Sequence, residues 1–218
     1  MRYYTKDFYE EMQVYSSIAF PSSKEEWDEL VASDLEYITN QRLRMDWLEE
    51  PLLRSLPESL HSRVLDRTLL SEYPSEDVMS ILKRWRSDYE DISKRNFKES
   101  RENYESIKNR LPKGVIQLHE RSLHDARFIS FDHSEEKQEC RLLLEHHEKE
   151  KYIEVTLKFK GVKYLDWDWD IGKDALWLYD EIYIEEDDVF ALNVLFDNPL
   201  TEICIIAEGL LIQKLILD

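Results

Sequence analysis

A chain of 218 residues, 42% hydrophobic and 12% aromatic, is long enough for one large core or two small ones and too rich in Trp, Tyr and Phe to stay disordered. The net charge of −18 is uneven: residues 1–113 hold 18 Lys/Arg against 23 Asp/Glu, or −5, and residues 114–218 hold 11 against 24, or −13. Such a field repels phosphate backbones and anionic headgroups, so it argues against nucleic acid and membranes as direct ligands and for basic partners or cations, with solubility as the plainer use of the same charge.

Thr5 is placed to cap a first helix on which Phe8, Met12 and Tyr15 mark one apolar face, and Pro21 stops it. Ser23 and Glu26 form an S-x-x-E capping box ahead of Trp27, Leu30, Val31, Leu35 and Ile38, the best-signalled helix in the chain. Leu43, Trp47 and Leu48 extend the apolar pattern to Pro51, and Pro57 opens another helix carrying Leu60, Val64, Leu65 and Thr68. Tyr73-Pro74-Ser75 closes that element and caps the next, where Val78, Ile81, Leu82, Trp85, Tyr89 and Ile92 keep helical spacing. The pattern persists through Tyr104, Ile107 and Leu111, which predicts one long helix. Its exposed face is basic, with ten Lys/Arg against six Asp/Glu over residues 83–113 and Glu90 placed to pair with Lys94. Pro112 and Gly114 punctuate its end.

Beyond Gly114 the period changes from 3.6 to 2. Ile153, Val155, Leu157 and Phe159 alternate with Glu154, Thr156, Lys158 and Lys160, and Phe190, Leu192, Val194 and Phe196 repeat the pattern. Further strand-like runs cover 126–131, 140–146, 175–184, 201–207 and 210–217. Connections such as Glu186-Asp187-Asp188 and Asp197-Asn198-Pro199 are too short for a crossover helix, so neighbouring strands pair antiparallel. The fold expected is α+β: a helical N-terminal half, residues 1–113, packed on a mostly antiparallel β-sheet or small sandwich of about seven strands, residues 114–218. The basic flank of the long helix, with Lys94, Lys98 and Arg101, is expected to lie against the acidic β half.

Glycine occurs only at 114, 161, 172 and 209, so no pair builds a phosphate-cradling loop, and no G-x-S-x-G is present. His119-Glu120 and His124-Asp125 place two histidines five apart, where a zincin helix needs four, and a looser cluster with His133, His146 and His147 depends on the fold. His61 reads as a solvated helix residue. Cys140 and Cys204 sit in alternating apolar runs as small buried hydrophobes, without a disulfide framework. The opening seven residues lack the apolar region of a secretory signal, and the apolar stretch 200–217 is broken by Glu202, Glu208 and Lys214, which points to the cytoplasm. No catalytic residue and no cofactor is implied.

The conspicuous cluster is Asp166-Trp167-Asp168-Trp169-Asp170. It fails as a calcium loop because Ile171 stands at the turn glycine and Trp177 at the bidentate glutamate. Read as a strand, it sets Asp166, Asp168 and Asp170 on one face at about 6.6 Å spacing, a candidate cation site, with Trp167 and Trp169 on the other. Residues 166–188 hold ten acidic side chains and the single base Lys173. Trp167, Trp169, Trp177 and Tyr179, with Asp180, Glu181, Glu185 and Glu186, are therefore candidates for gripping a basic protein, since aromatics anchor and carboxylates steer. Core packing and a solvated acidic face explain the same residues more plainly.

The opening Arg2-Tyr3-Tyr4-Thr5-Lys6, with Tyr9 and Met12, resembles the start of an uncharacterised family of Bacillus-type bacteria, classed as a domain of unknown function, which spans about the whole chain and implies no established activity. Leu123-His124-Asp125-Ala126, leading into a strand, is similar to the start of several small β-rich bacterial modules, some of them immunity proteins of toxin systems. No catalytic residue carries over from either. The favoured reading is a non-enzymatic, immunity-like cytoplasmic protein whose acidic, aromatic β half binds a basic protein partner. The alternative is a divalent-metal-dependent hydrolase using Asp166, Asp168, Asp170 and the histidines of 119–147, and a DNA mimic rests on net charge alone.

Overall fold

A computed structural model describes residues 1–148, 151–186 and 189–216, in which seven α-helices precede eight strands arranged in two antiparallel sheets. The chain divides into two compact units, one formed by Asp7–Arg95 and the other by Met1–Lys6 with Asn96–Asp218. No helix among the described residues is long and apolar enough to cross a membrane.

The helical unit holds most of α1 (Lys6–Ser17), then α2 (Lys24–Ser33), α3 (Tyr37–Trp47), α4 (Glu49–Ser55), α5 (His61–Leu65) and the first part of α6 (Glu76–Ile107). The capping box forms: the Glu26 amide donates to the Ser23 hydroxyl at 3.2 Å, and the Glu26 carboxylate reaches back to the Ser22 amide at 2.9 Å. The helix expected to run on through Ile38 stops at Ser33. The Asp34 carboxylate there accepts from the Glu36 amide at 3.0 Å, turning the chain and leaving Leu35 93% exposed. That turn resets the helical phase, so α3 buries Met45 while Leu43 and Trp47, expected inside, are exposed, as is Leu65 further along. Pro51, expected as a stop, falls in the first turn of α4, where an amide has no intrahelical acceptor to lose. Val14, Met45, Leu52, Leu60, Val64 and Leu82 make the core of this unit. The Arg86 guanidinium donates to the Ile18 carbonyl at 2.5 Å and to that of Tyr15 at 3.2 Å, satisfying acceptors at the end of α1. The long helix is as expected, and Lys94 pairs with Glu90 at 3.8 Å and Lys98 with Glu102 at 3.7 Å, both within it.

In the second unit the change of period does not bring strands at once, because α7 (Lys113–Glu120) follows Pro112 and the first strand begins only at Arg127. Gly114 thus lies inside a helix rather than ending one. A Cβ there would come 1.9 Å from the Leu210 carbonyl oxygen, so glycine serves a close helix–strand approach. The strands are β1 (Arg127–Ser134), β2 (Glu139–Glu148), β3 (Lys151–Lys160), β4 (Tyr164–Asp166), β5 (Trp177–Ile184), β6 (Phe190–Phe196), β7 (Thr201–Ala207) and β8 (Gly209–Ile216). One sheet has the order β1-β2-β3-β8 and the other β4-β7-β6-β5. The runs at 153–159 and 190–196 are strands as the alternation predicts, β5 and β6 pair antiparallel, and β4 is the eighth strand. Asp187, Asp188 and Leu217 of the expected elements lie outside the described residues.

The two sheets share strands that turn a corner. β3 continues into β4 and β7 into β8, and the ladder is carried across the bend by the Glu208 amide on the Lys160 carbonyl at 3.1 Å and the Lys163 amide on the Ile206 carbonyl at 2.8 Å. Gly161 makes the bend at φ +62, where a Cβ would also meet the Glu208 side chain at 2.5 Å. On the other side, the Phe128 amide donates to the Ala175 carbonyl at 2.8 Å and joins the start of β1 to the chain entering β5. Leu142, Val155, Phe159, Trp177, Val194 and Ile205 fill the space between the sheets.

Candidate functional site

The Asp-Trp repeat is not a strand. β4 ends at Asp166, and a turn holds Trp169 and Asp170. The Asp168 carboxylate stabilises that turn by accepting from the Asp170 amide at 2.9 Å and from the Thr201 hydroxyl at 2.8 Å, which holds it below the usual carboxylate range. The expected cation triad is therefore not assembled: Asp166 and Asp170 are exposed, Asp168 serves the turn, and no group of three metal-ligating side chains occurs among the described residues. The two indoles separate as well. Trp167 is buried, stacked on Phe131 at 3.7 Å, whereas Trp169 is 74% exposed with Phe131 6.0 Å away edge-on.

Nor do the acidic and aromatic residues of β5 make a surface. Trp177 is fully buried and donates its Nε1–H to Asp180 at 3.2 Å, and Asp180 also lies 3.7 Å from His119. Tyr179 is half-buried, with Tyr4 stacked on it at 4.9 Å. Glu181 is 3% exposed and grips the first residues of the chain: its carboxylate accepts from the amides of Arg2, Tyr3 and Tyr4, each at 2.7 Å, and from the Tyr183 hydroxyl. Asn96 adds a bond from its side-chain amide to the Tyr3 carbonyl at 3.2 Å. A buried carboxylate is tolerated where donors replace its water, and the four here do so. Burial, and then the bond it donates to Glu181, push the Tyr183 hydroxyl pKa up. Glu185 and Glu186 remain exposed at the end of β5.

What the fold does assemble is a groove of about 530 Å³ along β4. One wall comes from residues 162–167 and Trp169, the other from His133 of β1 with Glu135 and Gln138 of the turn before β2. Among the described residues the sheet order leaves β4 paired only to β7. The ladder between β2 and β3 gives out where the Val162 amide reaches the Gln138 carbonyl at 2.9 Å, and β4 runs past that point with no strand on its β2 side among the described residues. Tyr164 is 52% exposed there. Lys163 is paired with Glu208 at 2.6 Å, while Asp166 and Glu135 form no ion pair among the described residues. Of the residues singled out in the sequence, Asp166, Trp167, Trp169 and His133 reach this groove. Glu135, Gln138 and Tyr164 were missed, because the β1–β2 turn comes to β4 only through strand pairing.

Of the other histidines, His119 stacks on Tyr104 at 3.7 Å, His124 lies 3.1 Å from Asp125, His61 contacts the Leu56 carbonyl at 3.0 Å, and His146 and His147 lie on β2, the latter edge-on to Tyr152 at 5.0 Å. Burial pushes the Cys140 thiol up to about 12, in keeping with the packing role expected of it, while Cys204 is only half-buried on the other face of β7, its thiol raised by that burial and by the Asp166 charge.

No curated protein matches the chain. A family model described as "Protein of unknown function (DUF4085)" matches residues 3–207, nearly the whole length, and the protein is accordingly a member of that family.

Proposed function

We propose that the protein is a non-enzymatic, immunity-like interaction module of the bacterial cytoplasm, and that the groove along β4 receives a basic segment of a protein partner. The observation carrying this reading is the pairing of two solvent-exposed aromatics, Trp169 and Tyr164, with the carboxylates of Asp166 and Glu135, which have no cation of their own among the described residues. An exposed indole offers its face to an Arg or Lys side chain, and carboxylates beside it favour the same charge. The charge of −13 over residues 114–218 draws such a partner in from a distance. This surface is smaller than the one the sequence outlines, since Trp177, Tyr179, Asp180 and Glu181 serve the interior and the N-terminal segment.

Affinity capture from a native cell extract tests it, with the full chain compared to Trp169→Ala and Asp166→Lys. A basic polypeptide retained at near-stoichiometric amount by the parent chain and lost from both variants is the expected result. Retention that ignores both substitutions, or no retained polypeptide, overturns the proposal.

A further inference from the structure

We infer that the groove takes its ligand as an added β-strand: an extended, lysine- or arginine-rich peptide laid against the open edge of β4, continuing the sheet where β2 leaves off. The inference rests on the proposed function and adds the conformation of the bound segment. A sheet edge displays unpaired amides and carbonyls, and proteins commonly shield such edges or use them to bind peptides. The edge of β4 is short, which blunts unguided pairing, yet it is framed by features that shielding does not require. Trp169 and Tyr164 stand exposed in its lining, and the β1–β2 turn forms a second wall of a groove of about 530 Å³. Residues 162–167 line the groove consecutively, as the rim of a strand does and one face of it does not. Glu135 on the turn and Asp166 on the strand put negative charge on both walls. Alternate side chains of a bound strand point the same way, so lysines at every second position meet that charge together.

Binding is tested with the full-length chain and pooled nonapeptides carrying lysine at alternate positions and mixed residues between. Two further pools carry N-methyl groups, one on the lysine amides and one on the intervening amides, so that each loses the donors of one edge only. The unmethylated pool is expected to bind, to weaken at least about tenfold on Asp166→Lys or Trp169→Ala, and to slow hydrogen exchange at the Tyr164 and Asp166 amides, which alternate with the paired Lys163 amide and so face the open edge. One methylated pool is expected to bind at least about tenfold more weakly than the other, because only one edge of the peptide faces β4. Equal binding by the two methylated pools, or binding without protection of β4, overturns strand addition and leaves the basic-ligand reading standing. Failure of all three pools to bind overturns both.

Discussion

Glu181 shows how an acidic residue can belong to the interior of a chain that carries a net charge of −18. Its carboxylate replaces water with three consecutive backbone amides and one hydroxyl, an arrangement that only a two-oxygen acceptor completes. Glu181→Gln keeps the volume but turns one oxygen into a donor that faces other donors. It is expected to cost about 1–3 kcal/mol in urea unfolding and to speed amide exchange at residues 2–4. The same substitution at exposed Glu186 is expected to change stability by less than about 0.5 kcal/mol. The sequence displays Glu181 beside Asp180 as one more acid in an acidic run. Its role depends on Arg2, Tyr3 and Tyr4 meeting it from 177 to 179 positions away, and no local pattern encodes that meeting. Trp169 was legible as a candidate anchor, but its separation from Trp167 was not, because a two-residue alternation of Asp and Trp imitates a strand until Asp168 caps its own turn.

At the level of elements, period and punctuation located α6, the capped start of α2 and the strands β3 and β6, all of which rest on short-range spacing. What they misplaced follows from contacts between elements. The Asp34 turn shifted the buried face of α3, and Gly114, an apparent helix stop, proved to be the point where α7 touches β8. Gly114→Ala decides between these two roles. In an ordinary helix the change stabilises by about 1 kcal/mol, but a Cβ placed 1.9 Å from the Leu210 carbonyl oxygen forces backbone apart, and such overpacking costs about 1–3 kcal/mol. The net effect expected is a lower urea midpoint, with an unchanged slope if two-state unfolding is kept.

Across the whole molecule, charge and topology act on different ranges. The α+β order of elements was readable because helical and strand periods occupy separate stretches, whereas the corner strands that leave β4 with an open edge were not, since they arise from the pairing of β3 with β8 and of β4 with β7. If the acidic field steers a basic ligand, raising ionic strength from about 0.01 M to about 1 M, which shrinks the screening length from roughly 30 Å to roughly 3 Å, weakens peptide binding at least about tenfold, and Asp166→Lys flattens that dependence. The grip of Glu181 on the first residues has a consequence for how the molecule comes into being. Chain order sets Met1–Lys6 ahead of Asp7–Arg95, a unit with its own core, and the strand that receives them behind it, so synthesis delivers the two far apart in time. Met1–Lys6 thus finds its place only after the helical unit has been made, and the β unit is completed by a segment that has waited for β5.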